Sequence, residues 1–274
     1  MMTNRCEICL EETCRGSRQE CNCSACDKVN ECYRFLHATI RITNKCTQSC
    51  AHCAFKSSPD SVIMMDLRMA EKIAVFLKAN NVGSINVMGG EFFCNPKWFE
   101  ILSLFFDAGC YIRLVTNADW YNSDAVKSKL CLLRNKKFRI AVSNDKFHTN
   151  AGVAEAEAFL KENGFEYTVE GTGADYKDSI VPVGRAEGEV NWYSLFSCYC
   201  HDPSHMYSFM IDEQGIIYKC SFGVLSYANI GDYLDGGFAG VFKEFNKKFY
   251  DKFIPSCASC IRFFDKDGMG ALRE

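Results

Sequence analysis

The chain has no long apolar run, so no stretch of it is expected to cross a bilayer as a helix. Its opening residues, Met-Met-Thr-Asn-Arg-Cys-Glu, lack the apolar centre of a secretory signal, and a cytoplasmic location is the expectation. It also lacks an excess of charge of either sign, with a formal net charge of -3 over 274 residues. Neither nucleic acid nor an anionic membrane is therefore an expected partner. Apolar residues make up 48%, an ordinary globular share, and the length suits one sizeable domain plus a smaller one.

What the chain has in excess is cysteine, with 18 residues. Without a secretory signal these thiols are expected to be reduced and open to metal rather than paired. Seven lie in the first 32 residues, three in one short loop, and five in the last third: Cys198, Cys200, Cys220, Cys257 and Cys260. Cys94, Cys110 and Cys131 stand singly inside periodic segments, where a lone cysteine is usually a small core hydrophobe.

The short loop is Cys46-Thr-Gln-Ser-Cys50-Ala-His-Cys53, preceded by a strand-like run, Leu36-His-Ala-Thr-Ile-Arg-Ile-Thr43. Its thiolates are spaced so that all can turn toward one point. Cysteine thiolates are the usual ligands of a [4Fe–4S] cluster. Three of them hold three irons and leave the fourth open, which suits a reaction centre and not a simple electron carrier. Zinc is the competing occupant, with His52 as a possible fourth ligand.

Beyond the loop, strand and helix patterns alternate. Strands are expected at Ile85–Met88, Tyr111–Thr116, Phe138–Ser143 and Phe165–Val169. Helices are expected to open at Asp66, Asn95-Pro96, Ser123 and Asn150, with Gly83, Gly109 and Gly164 beyond the ends of three. After the first strand, the strands recur about every 27 residues, the length of a βα unit. The first interval is longer by about the length of the cysteine loop. Repeated units of this kind predict an α/β fold, a parallel sheet with helices outside, and ligands at the carboxyl ends of its strands. Polar clusters fall at those ends: Gly89-Gly90-Glu91, Thr116-Asn117-Ala118 and Ser143-Asn144-Asp145 with His148. A further strand-like run, Ser179–Val183, leads into Gly184-Arg185-Ala186.

The three-then-two cysteine spacing, with a ring residue before the last cysteine, resembles the radical S-adenosylmethionine (SAM) enzymes, and the later clusters match that family in order. The resemblance implies a partial (β/α)6 TIM-like barrel over residues 36–190. It implies a [4Fe–4S] cluster on Cys46, Cys50 and Cys53, whose open iron is chelated by SAM. One electron then cleaves the sulfonium to a 5′-deoxyadenosyl radical, which abstracts a substrate hydrogen. By the same resemblance Gly89, Gly90 and Glu91 receive the SAM ammonium, an assignment the chemistry of a crowded cation favours. Asn117 lies in the turn that resembles Thr-Asn-Gly, with Ala118 in place of glycine. Ser143 and Asp145 resemble the pair that holds the ribose and the methionine end. His52 packs by the adenine. Gly184-Arg185-Ala186 resembles a turn of the peptide-modifying branch, and Arg185 and His148 are candidates for catalytic base or substrate contact.

The last third reads as a hairpin, Phe209–Ile211 and Ile216–Cys220 around Gly215, then a helix over about 239–253 and Cys257-Ala-Ser-Cys260. Cys200, Cys220, Cys257 and Cys260 can enclose one cluster or one zinc, with Cys198 competing with Cys200. The pattern is similar to the Twitch domain, the short form of the SPASM extension. It implies an auxiliary [4Fe–4S] cluster over residues 191–274 that accepts an electron from the substrate radical. Residues 1–35 form a cysteine-rich segment with too few large apolar residues for a core of its own. Zinc or a further cluster is expected to stabilise it, a thiol-rich tail being the alternative.

These readings converge on an oxidoreductase that oxidises or cross-links a peptide or protein side chain, supplied with electrons by a flavodoxin- or ferredoxin-type donor. Oxidation of a small-molecule alcohol is the second reading. A non-catalytic metal-binding or electron-transfer protein is the third, and an open iron argues against it.

Overall fold

Two hydrophobic periods alternate along the chain, and each sets one kind of element. The computed structural model describes residues 37–79, 82–171, 184–186, 208–218 and 226–230. The elements are β1 (His37–Arg41), α1 (Leu67–Ala79), β2 (Ser84–Met88), α2 (Trp98–Asp107) and β3 (Tyr111–Thr116). They continue with α3 (Asp124–Leu132), β4 (Phe138–Ser143), α4 (Val153–Glu162), β5 (Tyr167–Glu170), β6 (Ser208–Ile211), β7 (Ile216–Tyr218) and β8 (Ser226–Asn229). Short 3-10 turns cover Phe92–Cys94 and Gly184–Ala186.

The starts of α1 and α3 follow their capping chemistry, whereas α2 and α4 begin after Lys97 and Gly152 with no side-chain cap. The Asp66 carboxylate accepts from Met69 N–H at 2.7 Å, and the Ser123 hydroxyl accepts from Val126 N–H at 3.3 Å. Gly109 and Gly164 sit at φ +90 and +69 just past α2 and α4, a backbone state glycine reaches without steric cost.

The strands form one sheet in the order β5-β4-β3-β2-β1-β6-β7-β8. Strands β1 to β5 and β6 pair in parallel; β7 and β8 add antiparallel. From β1 to β5 the order runs one way, so right-handed crossovers place the helices on one face, as in a barrel winding. The core confirms this, because Ile40, Val87, Leu114 and Ile140 from successive strands join Phe76, Leu102, Phe105 and Leu160 from the helices in one buried cluster. The opposite sheet face alternates with it and stays half-exposed along β3. This mostly parallel, one-sidedly covered sheet is the partial-barrel class expected from the sequence.

Two features differ in detail from the local patterns. On α1 the apolar face expected from the sequence is Leu67, Ala70, Ala74 and Leu77; Ala70 and Leu77 are buried, Leu67 and Ala74 pack partly against the core, and Ile73 and Phe76 are buried besides, Phe76 edge-on against Phe209 of β6. The hairpin assigned to the C-terminal part belongs to the same sheet, with His37 to Ile40 of β1 registered against Ser208 to Ile211. Arg41 fastens the junction. Its guanidinium makes a two-pronged pair with Glu213, at 2.6 and 3.1 Å, and its Nη2 lies 3.9 Å from Asp212. Tyr218 donates to Asp212 at 2.9 Å. Burial pushes the Glu213 carboxyl above its ordinary range, while Arg41 pulls it back.

The cysteines of residues 1–35, the run Ser179–Val183, the helix near 239–253, and Cys198, Cys200, Cys220, Cys257 and Cys260 lie outside the described residues.

Candidate active site at a three-cysteine loop

The loop leaves the carboxyl end of β1 and is held at its base by β2. Ile42 N–H donates to Met88 O, Gly90 N–H to Thr43 O and Glu91 N–H to Lys45 O, at 2.8 to 2.9 Å. The Gly-Gly turn is required by contact. A Cβ on Gly90 would lie 2.5 Å from Lys45 O and 2.8 Å from Cys46 Cβ. One on Gly89 would lie 2.7 Å from Thr43 Cγ2. Asn95 closes the other side, donating from Nδ2 to Ile42 O and Met65 O at 2.9 and 3.0 Å.

Cys46 and Cys50 are buried and Cys53 is half-buried. Burial pushes the Cys46 thiol up to about 12, with Glu91 and the neighbouring cysteines adding to it and the Gln48 N–H pulling the other way. Cys50 is raised as well, by burial, Cys53 and Asp145, against Arg185. Thiols this reluctant to ionise become thiolates only with a cation beside them. Gln48 N–H donates to Cys46 Sγ at 3.4 Å, and Asn117 Nδ2 lies 3.9 Å from it, both suited to a thiolate.

The spacing also bears on zinc. Among the described residues no group containing all three cysteines has its ligand atoms within 4.8 Å of one another. Tetrahedral zinc with bonds of about 2.3 Å to sulfur needs its ligands about 3.8 Å apart. A cube that takes one thiolate per iron spreads them wider, so the donor set fits the cluster better than one ion.

Around the loop, the ends of β2, β3 and β4 converge. Glu91 is 2% exposed. Its carboxylate accepts from Thr116 Oγ1 at 2.8 Å, Asn117 N–H at 2.8 Å and Phe93 N–H at 3.3 Å. The side chain expected to receive the SAM ammonium is therefore turned inward, where it ties the β2 turn to the β3 turn. Burial pushes its pKa up to about 7, against the pull of these three donors. The half-exposed Gly89 and Gly90 remain on the loop side of that turn.

Asn117 is buried, and donates to Thr47 Oγ1 at 3.0 Å within the cysteine loop. Ala118 adopts φ +69 with no exposed surface, the left-handed state that the glycine of the resembled turn would take freely. The residues that bolt this turn to the loop belong to no motif. Asp119 accepts from the Thr47 hydroxyl and from Gln48 Nε2, the latter at 2.9 Å. Gln48 also contacts Thr149, with Nε2 to Oγ1 at 2.9 Å and Oε1 from Thr149 N–H at 3.1 Å. Short polar residues beside a recognisable motif carry no pattern of their own.

Asp145, just past β4, accepts from Phe147 N–H at 2.8 Å. Its Oδ1 lies 2.9 Å from His148 Nδ1, and its Oδ2 lies 3.8 Å from His52 Nε2. Burial alone would raise its pKa, but the Phe147 N–H and His148 hold it below the usual carboxylate range. The His52 ring packs 4.7 Å from Phe147 and edge-on to His148 at 5.1 Å. The ligand atoms of His52, Asp145 and His148 all lie within 4.8 Å of one another. Burial lowers the His52 pKa, with His148 and Arg185 adding to it and Asp145 opposing. Ser143 ends β4 half-exposed, one step from this group.

Arg185 comes from far along the chain and lands on the loop. Its Nε donates to Cys50 O at 2.7 Å, its Nη2 to Ser57 O at 2.5 Å, and its backbone N–H to Cys53 O at 3.0 Å.

Three cysteines in the loop after the first strand of a parallel, one-sidedly clad sheet lie beside a Gly-Gly-Glu turn, a donor set suited to a metal cluster. Residues 40–172 match the Radical SAM superfamily, and the chain carries a radical SAM domain there. That family implies a [4Fe–4S] cluster and SAM. Among named relatives, the chain is 31% identical over 107 residues to the antilisterial bacteriocin subtilosin biosynthesis protein AlbA of Bacillus subtilis (strain 168). That match covers 39% of this chain and 23% of AlbA. It is 31% identical over 84 residues to YydG of the same organism, named for peptide biosynthesis, covering 30% of this chain and 26% of YydG. The matches thus span about a quarter of each relative's length.

Two solved structures share the fold. BtrN in complex with AdoMet and 2-DOIA gives a TM-score of 0.53 at 15% identity, covering 79% of this chain and 87% of that one. anSMEcpe with bound AdoMet and Cp18Cys peptide gives 0.53 at 16%, covering 76% and 80%.

Proposed function

We propose that this protein is a radical SAM enzyme that oxidises or cross-links a side chain of a peptide or protein. The observation that carries the chemistry is the three-cysteine loop, with Cys46 and Cys50 buried, pinned by the ends of β2, β3 and β4 within the matched domain. The peptide class is supported by the names of the two relatives, one for bacteriocin biosynthesis and one for peptide biosynthesis.

When bound, the cluster and SAM supply one-electron cleavage of the sulfonium and abstraction of a substrate hydrogen. This chain's residues have separate tasks. Cys46, Cys50 and Cys53 hold the cluster. Gln48 and Asn117 donate toward Cys46 and steady its charge. Gly89 and Gly90 let the β2 turn approach the loop closely, and their peptide carbonyls are the acceptors for the SAM ammonium. Glu91 acts behind them by fixing Asn117. Asp145 and Ser143 face the ribose side, and His52 with Phe147 offers a ring surface to the adenine. Cys200, Cys220, Cys257 and Cys260 hold an auxiliary cluster in this reading.

The test is anaerobic. The full chain is reconstituted with iron and sulfide, reduced and given SAM. About eight irons per chain and release of 5′-deoxyadenosine are expected. A short peptide encoded beside this gene should then change mass. SAM left intact by a fully loaded chain would remove the enzyme reading. SAM cleavage with turnover of a small alcohol and no peptide product would remove the peptide class.

A further inference from the structure

The segment that carries Gly184 and Arg185 is remote in sequence from the cysteine loop, yet its contacts fall on that loop. Arg185 gives three donors to it: side chain to Cys50 O and Ser57 O, backbone to Cys53 O. These carbonyls belong to two limbs, one ending at the last two cysteines and one returning toward Met65. A single planar guanidinium therefore closes the loop across its mouth. Gly184 makes the approach possible. It sits at φ +64, and a Cβ there would lie 2.3 Å from Ala54 O and 2.4 Å from Cys53 O. Ser57, fully buried, anchors the far limb by donating from Oγ to Asn44 Oδ1 at 2.7 Å.

We propose that Arg185 is a positioning residue for the cluster, acting in two ways. It presets the loop in the metal-free chain by bridging Cys50 O and Ser57 O. It also places a permanent positive charge beside Cys50, which favours the added electron on the cluster and makes it easier to reduce. The proposal rests on the radical SAM reading for its second part only. A lysine can supply the charge but not the two-pronged bridge, since its ammonium lacks the guanidinium fork. The two parts can thus be separated.

The experiment uses the full chain with Arg185→Gln, Arg185→Lys and Gly184→Ala. In metal-free protein, alkylation of Cys46, Cys50 and Cys53 by iodoacetamide is followed by peptide mass spectrometry. Buried Cys110, whose thiol donates to Val82 O at 3.2 Å, serves as the internal control. Arg185→Lys and Gly184→Ala, which keep a cation near Cys50, should alkylate the loop at least about threefold faster at pH 8, with Cys110 unchanged. In reconstituted protein, the midpoint potential of the cluster whose signal responds to SAM is titrated. Arg185→Gln should lower the reduction equilibrium about tenfold, a fall of about 59 mV for one electron. Arg185→Lys should stay within about twofold of the parent.

Wild-type alkylation in both Arg185→Lys and Gly184→Ala overturns the first part. A wild-type potential in Arg185→Gln, or an equal fall in Arg185→Lys, overturns the second. If Arg185→Gln exposes Cys110 as well, the other two variants decide, and wild-type protection in both overturns the bridge. A parent chain that takes up no iron would sink the proposed function and leave the alkylation result standing.

Discussion

Glu91 offers the sharpest test of how the site is built. Replacement by alanine removes the acceptor of Thr116 O–H, Asn117 N–H and Phe93 N–H in a place that water does not reach. A buried donor left unpaired costs about 1–3 kcal/mol. Thr116 and Asn117, both at 2.8 Å and both buried, contribute most of the loss, and the 3.3 Å contact to Phe93 adds less. The missing side chain also leaves a void. The sum is about 3–5 kcal/mol, a large part of a typical 5–15 kcal/mol. Urea unfolding of the metal-free chain at pH 6, where the carboxyl is mostly neutral, should show the midpoint falling by more than about 1 M. At this pH Glu91→Gln replaces a neutral acid by a neutral amide of the same volume, each with one carbonyl acceptor, so a loss of under about 1.5 kcal/mol is expected. If Glu91→Ala unfolds within about 0.5 kcal/mol of the parent, the carboxylate is not the tie between the β2 and β3 turns.

The same group sets a pH trend. Folded Glu91 keeps its proton to about pH 7, against an ordinary 4.5. Its contribution is complete below about pH 4.5 and lost as the pH rises through 7, on the order of 3 kcal/mol in all; Glu91→Gln should flatten this slope in the metal-free chain. Gly90→Ala forces a methyl against the Lys45 carbonyl, which is backbone and cannot swing aside, and should destabilise by about 1–3 kcal/mol or more. It should also leave less than about half the parent's iron at the loop after reconstitution, by colorimetric assay. Glu213→Ala leaves the largely enclosed Arg41 guanidinium with only its 3.9 Å contact to Asp212 and should cost toward the low end of about 3–5 kcal/mol in urea unfolding, a larger loss than an exposed pair gives. Cys46→Ala, Cys50→Ala and Cys53→Ala together should remove about four irons and all SAM cleavage, read by iron assay and chromatography; retained cleavage would contradict the ligand assignment.

Much of the framework was legible because it rests on local chemistry. The alternation of periods places the strands from β1 to β5, and the glycines at 109 and 164 mark helix ends by the φ they adopt. The cysteine loop and the polar turns after β2, β3 and β4 were legible because ligands gather at strand ends. Side-chain direction was not. Nothing in Gly89-Gly90-Glu91 says that the carboxylate turns toward Asn117 instead of the loop. Asp119 and Gln48 were not singled out, since a polar pair about 70 positions apart leaves no periodic trace. The placement of β6 beside β1 joins residues about 170 apart, and Arg41 with Glu213 shows its meaning only once that pairing exists. Arg185 was singled out for its motif, while its task is set by carbonyls that any sequence would present.

The seat of β6 beside β1 has a practical side for anyone trimming this protein. A fragment ending before residue 208 would not be a smaller working unit. It would bare the hydrogen-bonding edge of β1 in what is now the middle of the sheet, beside a stranded guanidinium and an unshielded Phe76. Such an open flank invites pairing with another molecule, so expression of that fragment should yield aggregates.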